Sequence, residues 1–324
     1  MREVFDGGLI DLIPELRVYA FGLCRSWCEA DDLVQDALVR ALRSRSQFEP
    51  GSNLRAWMFT ILRNAFYSDA AQSVLDPAKW QAAWDETAPL RAFANAVSGM
   101  SDAYRAEPGR NAGKALCVAK WLDAWAQGGA LLGKVNIRGR YDVIWFSQIA
   151  AGMAYLKTRD GAAIPPDMRR RIEAWLVDVA RRVLETESVL QWRRRFPTNL
   201  HSWSAAAAVV AGVAANDRSL AERGFAMARA GLESVTPEGA LPAELARKGR
   251  AFQYHVWALE PLALAIAFAR ANGVDLLSVN DRAFARILAF VWRARGDHAR
   301  IDALAGAEQE DDFDLWPKFT GDLA

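Results

Sequence analysis

Cysteine is scarce in this chain of 324 residues, with only Cys24, Cys28 and Cys117. An odd, sparse set gives no disulfide framework. Cys24 and Cys28 stand one helical turn apart, which suits packing on one face, and a zinc site would need two further ligands. Long uncharged apolar runs are missing as well. The alanine-rich stretch at 205–215 is too short to span a bilayer and is flanked by polar residues. The N-terminus, Met-Arg-Glu-Val-Phe-Asp-Gly-Gly, has no basic-then-apolar-then-small pattern, so a soluble, cytoplasmic protein is expected. Charge of one sign is not in excess: 40 basic and 39 acidic residues leave a net charge of +1. That excludes a nucleic-acid-binding surface over the whole chain and leaves room for a local basic cleft. Alternating strand patterns are scarce, and no Gly/Ser linker divides the chain.

What is present is helix. Ala, Leu, Arg and Glu abound, and apolar residues recur at three- and four-residue spacing, which predicts an all-α fold. Just over half the residues are apolar, enough for a sizeable core. Residues 9–23, 29–44 and 54–66 read as three helices. The second opens on acidic Glu29, Asp31 and Asp32, which complement the helix dipole. A Pro-Gly turn, Phe48-Glu-Pro-Gly-Ser-Asn53, precedes the third.

This N-terminal unit carries Ala30-Asp-Asp-Leu-Val-Gln-Asp-Ala-Leu-Val-Arg-Ala-Leu42 and Phe48-x-Pro-Gly-x-Asn-Leu-Arg-Ala-Trp-Met-Phe-Thr-Ile-Leu-Arg-Asn64. In order and spacing it resembles region two of extracytoplasmic-function sigma factors. The resemblance implies contact with RNA polymerase or an anti-sigma partner through residues 1–66. The family's second promoter-reading region has no counterpart, so a complete sigma factor is not expected.

From Tyr67 the character changes. Tyr67-Ser-Asp, Trp121-Leu-Asp-Ala-Trp-Ala126, 150–156, Arg171-Ile-Glu-Ala-Trp-Leu176 and Asn272-Gly-Val-Asp-Leu276 follow in order. The most informative run is Leu241-Pro-Ala-Glu-Leu-Ala-Arg-Lys-Gly-Arg-Ala-Phe-Gln-Tyr-His255. It sets Arg247 and Tyr254 two helical turns apart, on one face if the segment is helical. A guanidinium can hold a carboxylate with two parallel hydrogen bonds, and a phenol beside it can serve as acid or base. Together these motifs resemble the alginate lyases of polysaccharide lyase family five over residues 67–295. The resemblance implies an α/α toroid (an incomplete α/α barrel), β-elimination on an anionic uronate polysaccharide, no metal or organic cofactor, and a periplasmic location. The last conflicts with the missing signal pattern. The expected division is a sigma-like unit at 1–66, a lyase domain at 67–300 and an acidic tail at 301–324, in a monomer.

The resemblance assigns roles residue by residue. Arg247 becomes the carboxylate clamp. Tyr254 becomes the acid, and also the base on an epimer whose C5 proton and O4 share a face. Asn199, in Pro197-Thr-Asn-Leu-His-Ser-Trp203, falls on the catalytic Asn of the family's Asn-Asn-His-x-x-Trp pattern, which puts Leu200 where the family has His. A one-residue slip makes His201 the catalytic His instead and puts Leu200 on the Asn. Neither register restores the adjacent Asn-His pair. His255 would point about 100° away from Tyr254 on a helix, which suits a structural role, or a supporting place beside the substrate, more than direct chemistry. Tyr67 would lie on the lid over the cleft. Trp145 and Trp203, with Trp121, Trp125 and Trp257, could stack on sugar rings or pack the core. Arg193, Arg194 and Arg195 could attract a polyanion or form a solvated run.

Two functions follow. One is a poly-uronate lyase with a sigma-like appendage. The other is a sigma-like regulatory fragment with a degenerate, inactive lyase domain.

Overall fold

The computed structural model describes residues 2–24, 27–49, 51–72, 85, 87–107, 109, 111–133, 141–161, 164–191 and 196–310. Among these residues the secondary structure is helical throughout, and no helix is long and apolar enough to cross a membrane. The chain forms two compact units, the first running to Ala88.

Among its described residues the first unit has three α-helices, α1 (Arg2–Cys24), α2 (Trp27–Arg43) and α3 (Leu54–Gln72). Each helix packs on the other two. Leu9, Leu16, Ala20 and Leu23 of α1 meet Leu33, Val34, Ala37 and Ala41 of α2 and Met58, Leu62 and Ala65 of α3 in one buried cluster. Their three- and four-residue spacing is the reason each segment presents a single apolar stripe. Asn53 starts α3: its side-chain oxygen accepts the Ala56 N–H at 3.1 Å. Gly51, at φ +92°, makes the turn before it in a backbone region that suits glycine.

The boundary expected at 66/67 falls inside α3, which continues to Gln72. A helix is cooperative and does not end where two sequence motifs meet.

The second unit holds α4 (Ala88–Ala106), α5 (Ala112–Gln127), α6 (Tyr141–Thr158), α7 (Pro166–Gln191), α8 (Asn199–Ala214), α9 (Arg218–Glu233), α10 (Pro242–Leu245), α11 (Ala251–Ala271), α12 (Val279–Gly296) and α13 (Ala299–Ala305). The pivot is α8, which packs against α6, α7, α9 and α11. It can touch four neighbours because it is lined with small side chains. Ala205, Ala206, Ala207 and Ala208 are fully buried. A Cβ on Gly212 would lie 2.5 Å from the Ala221 nitrogen, and one on Gly224 would lie 2.8 Å from the Ala205 oxygen, so α8 and α9 meet backbone to backbone. The alanine-rich run is thus a helix-packing surface.

Farther along, Arg171 grips Asp123 with two parallel bonds of 2.7 and 2.9 Å and ties α7 to α5. The guanidinium holds the Asp123 carboxyl below the ordinary carboxylate range. A second apolar cluster draws α8, α9, α11 and α12 together and takes in Ile301 of α13.

The C-terminal segment expected to be an acidic tail is therefore in part a structural element. Ile301 is fully buried, and Gln309 is 5% exposed. Residues 311–324, with the rest of the acidic run, lie outside the described residues.

Candidate functional site

Two backbone features build the candidate site: the first turn of α8 and the irregular segment between α10 and α11. Pro242 occupies the start of α10, where its missing N–H costs nothing. The helix lasts one turn. A 3-10 turn, Lys248–Arg250, follows, and α11 begins at Ala251. Lys248 takes φ +54°, a left-handed conformation that breaks any continuous helix from Arg247 to Tyr254. The expected route to their proximity, two turns of one helix, is thus replaced by a folded turn. The proximity itself stands. The Arg247 guanidinium carbon lies 4.6 Å from the centre of the Tyr254 ring, within cation–π range.

Glu244 joins this pair to α8. It is fully buried, and its Oε1 accepts the Asn199 main-chain N–H at 2.5 Å and the Asn199 side-chain amide at 3.2 Å. Its other oxygen, Oε2, faces Arg247 Nε at 3.5 Å. The main-chain bond also satisfies one of the orphan N–H groups at the start of α8. A buried carboxylate is costly unless paired and hydrogen-bonded, and here Oε1 takes the hydrogen bonds while Oε2 is ion-paired with Arg247. Asn199, Arg247 and Tyr254 are therefore brought together through a residue that sequence reasoning gave no role. The signal was available: Glu244 stands three residues before Arg247 in the same motif.

Tyr254 is 8% exposed, and its ring meets Trp257 edge-on at 5.2 Å between centroids. The ring is thus clamped between a cation and an indole.

Of the two places expected for His255, the structural one holds and the one beside the substrate does not. It is fully buried, its Nε2 accepts the Leu241 N–H at 2.8 Å, and its Nδ1 donates to the Ala251 carbonyl at 2.7 Å. Those bonds fix one neutral tautomer. Burial pushes its pKa down to about 4. His255 is a structural staple between the loop entering α10 and the first turn of α11.

Trp203 takes the packing alternative and not the sugar-stacking one. At 5% exposure its ring is core and offers no open face for a sugar. His201 is half-buried in the first turn of α8. It leaves that helix about 200° round from Asn199. Trp125 stacks on Phe93 at 3.5 Å and 12°, a packing role, while Trp121 is 44% exposed. The side chains of Tyr67 and Trp145, and the run Arg193–Arg195, lie outside the described residues. Among the described residues no group of three His, Cys, Asp or Glu could hold a metal ion.

A buried carboxylate thus aligns an amide and a guanidinium, with a phenol beneath that cation, on an all-helical scaffold. The chain belongs to the alginate lyase family, whose family model matches residues 62–301.

A polysaccharide lyase from Stenotrophomonas maltophilia is 36% identical over 250 residues, covering 75% of this chain and 72% of that protein. An alginate lyase from Azotobacter vinelandii is 38% identical over 254 residues, covering 76% and 66%. Among solved structures, a variant of alginate lyase A1-III complexed with tetrasaccharide superposes with a TM-score of 0.64 at 22% identity, covering 70% of this chain and 64% of that one. An alginate lyase from Bacteroides ovatus gives 0.54 at 18% identity, covering 71% and 63%. The chain thus spans about two thirds of the length of several of these relatives. The fold of the second unit is the α/α toroid of this family. A sigma-70 region 2 family model matches residues 10–73, overlapping the lyase match at 62–73, of which 62–72 lie in α3.

Proposed function

We propose that this protein is a polysaccharide lyase that cleaves a (1→4)-linked uronate polymer of the alginate or polymannuronate type by β-elimination. The observation that carries the reading is the continuous path Asn199–Glu244–Arg247–Tyr254 in a member of the alginate lyase family.

The chemistry follows from charge. A uronate C5 proton is weakly acidic because the neighbouring carboxylate resists the enolate that its loss creates. Arg247 pairs with that carboxylate and stabilises the developing enolate. The Asn199 amide, held by Glu244, adds a neutral donor to the same group. A base takes the C5 proton, the electron pair forms the C4–C5 double bond, and the C4–O4 bond breaks. Tyr254 protonates the departing O4. On a residue whose C5 proton and O4 share a face, the tyrosine serves both steps. His201 remains the alternative base. The chemistry draws on side chains alone, with no metal or organic cofactor.

The test is direct. The full chain is incubated with polymannuronate, polyguluronate and polyglucuronate, and absorbance from the new double bond is followed. Turnover on at least one polymer is expected. Silence on all three would reject the reading.

The sigma-70 region 2 match favours a second role for the same chain: docking to RNA polymerase or an anti-sigma protein through the N-terminal unit. Retention of the full chain by immobilised core polymerase, lost on removal of that unit, is the expected result.

A further inference from the structure

The C-terminal segment makes a set of contacts that the proposed chemistry does not use. Gln309 spends both ends of its amide on the turn that carries Arg247. Its Oε1 accepts the Phe252 N–H at 2.8 Å. Its Nε2 donates to the Lys248 carbonyl at 3.2 Å and to the Ala307 carbonyl at 3.0 Å. The Gln309 main chain is itself anchored, its N–H donating to Asp302 at 3.0 Å. The neighbouring Glu310 donates its N–H to the Gly249 carbonyl at 2.7 Å, and its carboxylate meets Arg250 Nε at 3.1 Å. Every residue from Lys248 to Arg250 is therefore held by the segment Gln309–Glu310.

Two features of the turn make this holding consequential. Phe252 lies in the first turn of α11, where N–H groups have no partner within the helix. Gln309 supplies that partner from more than fifty residues away and so acts as a remote helix cap. Lys248 is a non-glycine residue at φ +54°, directly after Arg247. Such a conformation persists only where surrounding contacts over-determine it. Its carbonyl is one of the two that Gln309 binds. There is also no room for the segment to shift inward: a Cβ on Gly249 would already lie 3.0 Å from the Glu308 carbonyl oxygen.

We infer that Gln309 is a positioning residue for the reaction: it locks the left-handed turn at Lys248 and thereby fixes Arg247 over Tyr254 and beside Glu244. This rests on the lyase reading given above. Its chemistry is that of geometry. A guanidinium that swings away from the uronate carboxylate loses hold in both the bound and the transition state, and a misplacement of about 1 Å can cost about a hundredfold in rate.

The experiment is a double-mutant cycle on the full chain with Gln309→Ala, Arg247→Ala and the pair, assayed on the best uronate polymer well below the melting temperature of each variant. Gln309→Ala is expected to raise KM and lower kcat/KM about tenfold or more. In the Arg247→Ala background the same change should cost less than about twofold, because Gln309 acts through Arg247. Gln309→Glu keeps the acceptor for Phe252 and sets a carboxylate oxygen against the Lys248 and Ala307 carbonyls, so it should retain protection of the Phe252 amide and not restore KM. Parent-like kcat/KM in Gln309→Ala, or penalties that multiply in full, would overturn the assignment. Amide hydrogen exchange over 247–253 gives a separate readout. Gln309→Ala should release the Phe252 amide, and unchanged protection would reject the clasp even if the parent cleaves no polymer. A parent without activity whose Phe252 amide is released by the substitution would reject the lyase reading, and with it the positioning role, while leaving the clasp standing.

Discussion

Glu244 accepts the main-chain N–H of Asn199 at 2.5 Å while its second oxygen faces Arg247 at 3.5 Å. One buried carboxylate thus sets the start of α8 and the seat of the cation together. Glu244→Gln keeps an acceptor for Asn199 and turns an amide donor toward a guanidinium donor. The cation should be displaced. Activity is expected to fall at least tenfold, with a stability loss of about 1–3 kcal/mol from the mismatched buried polar group. Glu244→Ala should lose more of both. Urea melts and kcat/KM on one preparation check this, and a fully active Glu244→Gln would show that the carboxylate is not needed to place Arg247.

Tyr254 and Arg247 should separate kinetically. Tyr254→Phe keeps the ring that Arg247 stacks on, so polymer binding should survive. Loss of the hydroxyl should lower kcat by about 10²–10⁴-fold, the usual contribution of a positioned acid or base. Arg247→Ala removes the carboxylate partner in ground and transition states and should raise KM as well as lower kcat. Initial rates and equilibrium binding of intact polymer distinguish the two. A Tyr254→Phe variant at the parent rate would exclude the phenol and turn attention to His201.

The helical class, the lyase resemblance and the three principal site residues were legible because each has a local signature. The apolar stripes repeat within single helices, and Asn199, Arg247 and Tyr254 sit in short motifs. What was not legible depends on contacts between distant segments. Glu244 drew no reading from the sequence, and its role rests on α8 closing over it. His255 looked like a neighbour of the chemistry, and the fold places it in the core between Leu241 and Ala251. Gln309 lay in a run whose acidity suggested a solvated tail, yet it caps a helix more than fifty residues earlier. The left-handed Lys248 has no sequence mark, since lysine rarely adopts that conformation.

Helix approach gives a stability prediction with an internal control. Gly224 of α9 sits where a Cβ would lie 2.6 Å from a Val209 methyl and 2.8 Å from the Ala205 carbonyl oxygen. The backbone atom cannot rotate away, so Gly224→Ala must push α9 off α8. Overpacking should outweigh the gain in helix propensity and cost about 1–3 kcal/mol. A Cβ on Gly99 of α4 would have no such atom within 4 Å. There the propensity gain should stand alone, about 0.5–1 kcal/mol in the stabilising direction. Denaturant midpoints of the two variants should therefore move in opposite directions, and movement in the same direction would contradict the close α8–α9 contact.

His255 gives the fold a dependence on acid. Its ordinary value is 6.5, and burial lowers it to about 4 in the folded chain. Between those values the unfolded chain binds a proton that the native chain refuses. The contribution is therefore complete above pH 6.5 and is lost as pH falls toward 4, reaching about 3 kcal/mol at about 1.4 kcal/mol per unit. The physical cause is that both ring nitrogens are committed: protonating Nε2 would set an N–H against the Leu241 N–H at 2.8 Å in a site closed to water. Asp123, held low by Arg171, loses its contribution only at more acid pH, so the two can be told apart. Urea melts of the parent from pH 7 to pH 4.5 should show falling stability across this range. His255→Gln offers Leu241 an uncharged acceptor, so this variant should be less stable at pH 7 and nearly flat across the same range. An equally steep slope in His255→Gln would mean that another group carries the acid sensitivity.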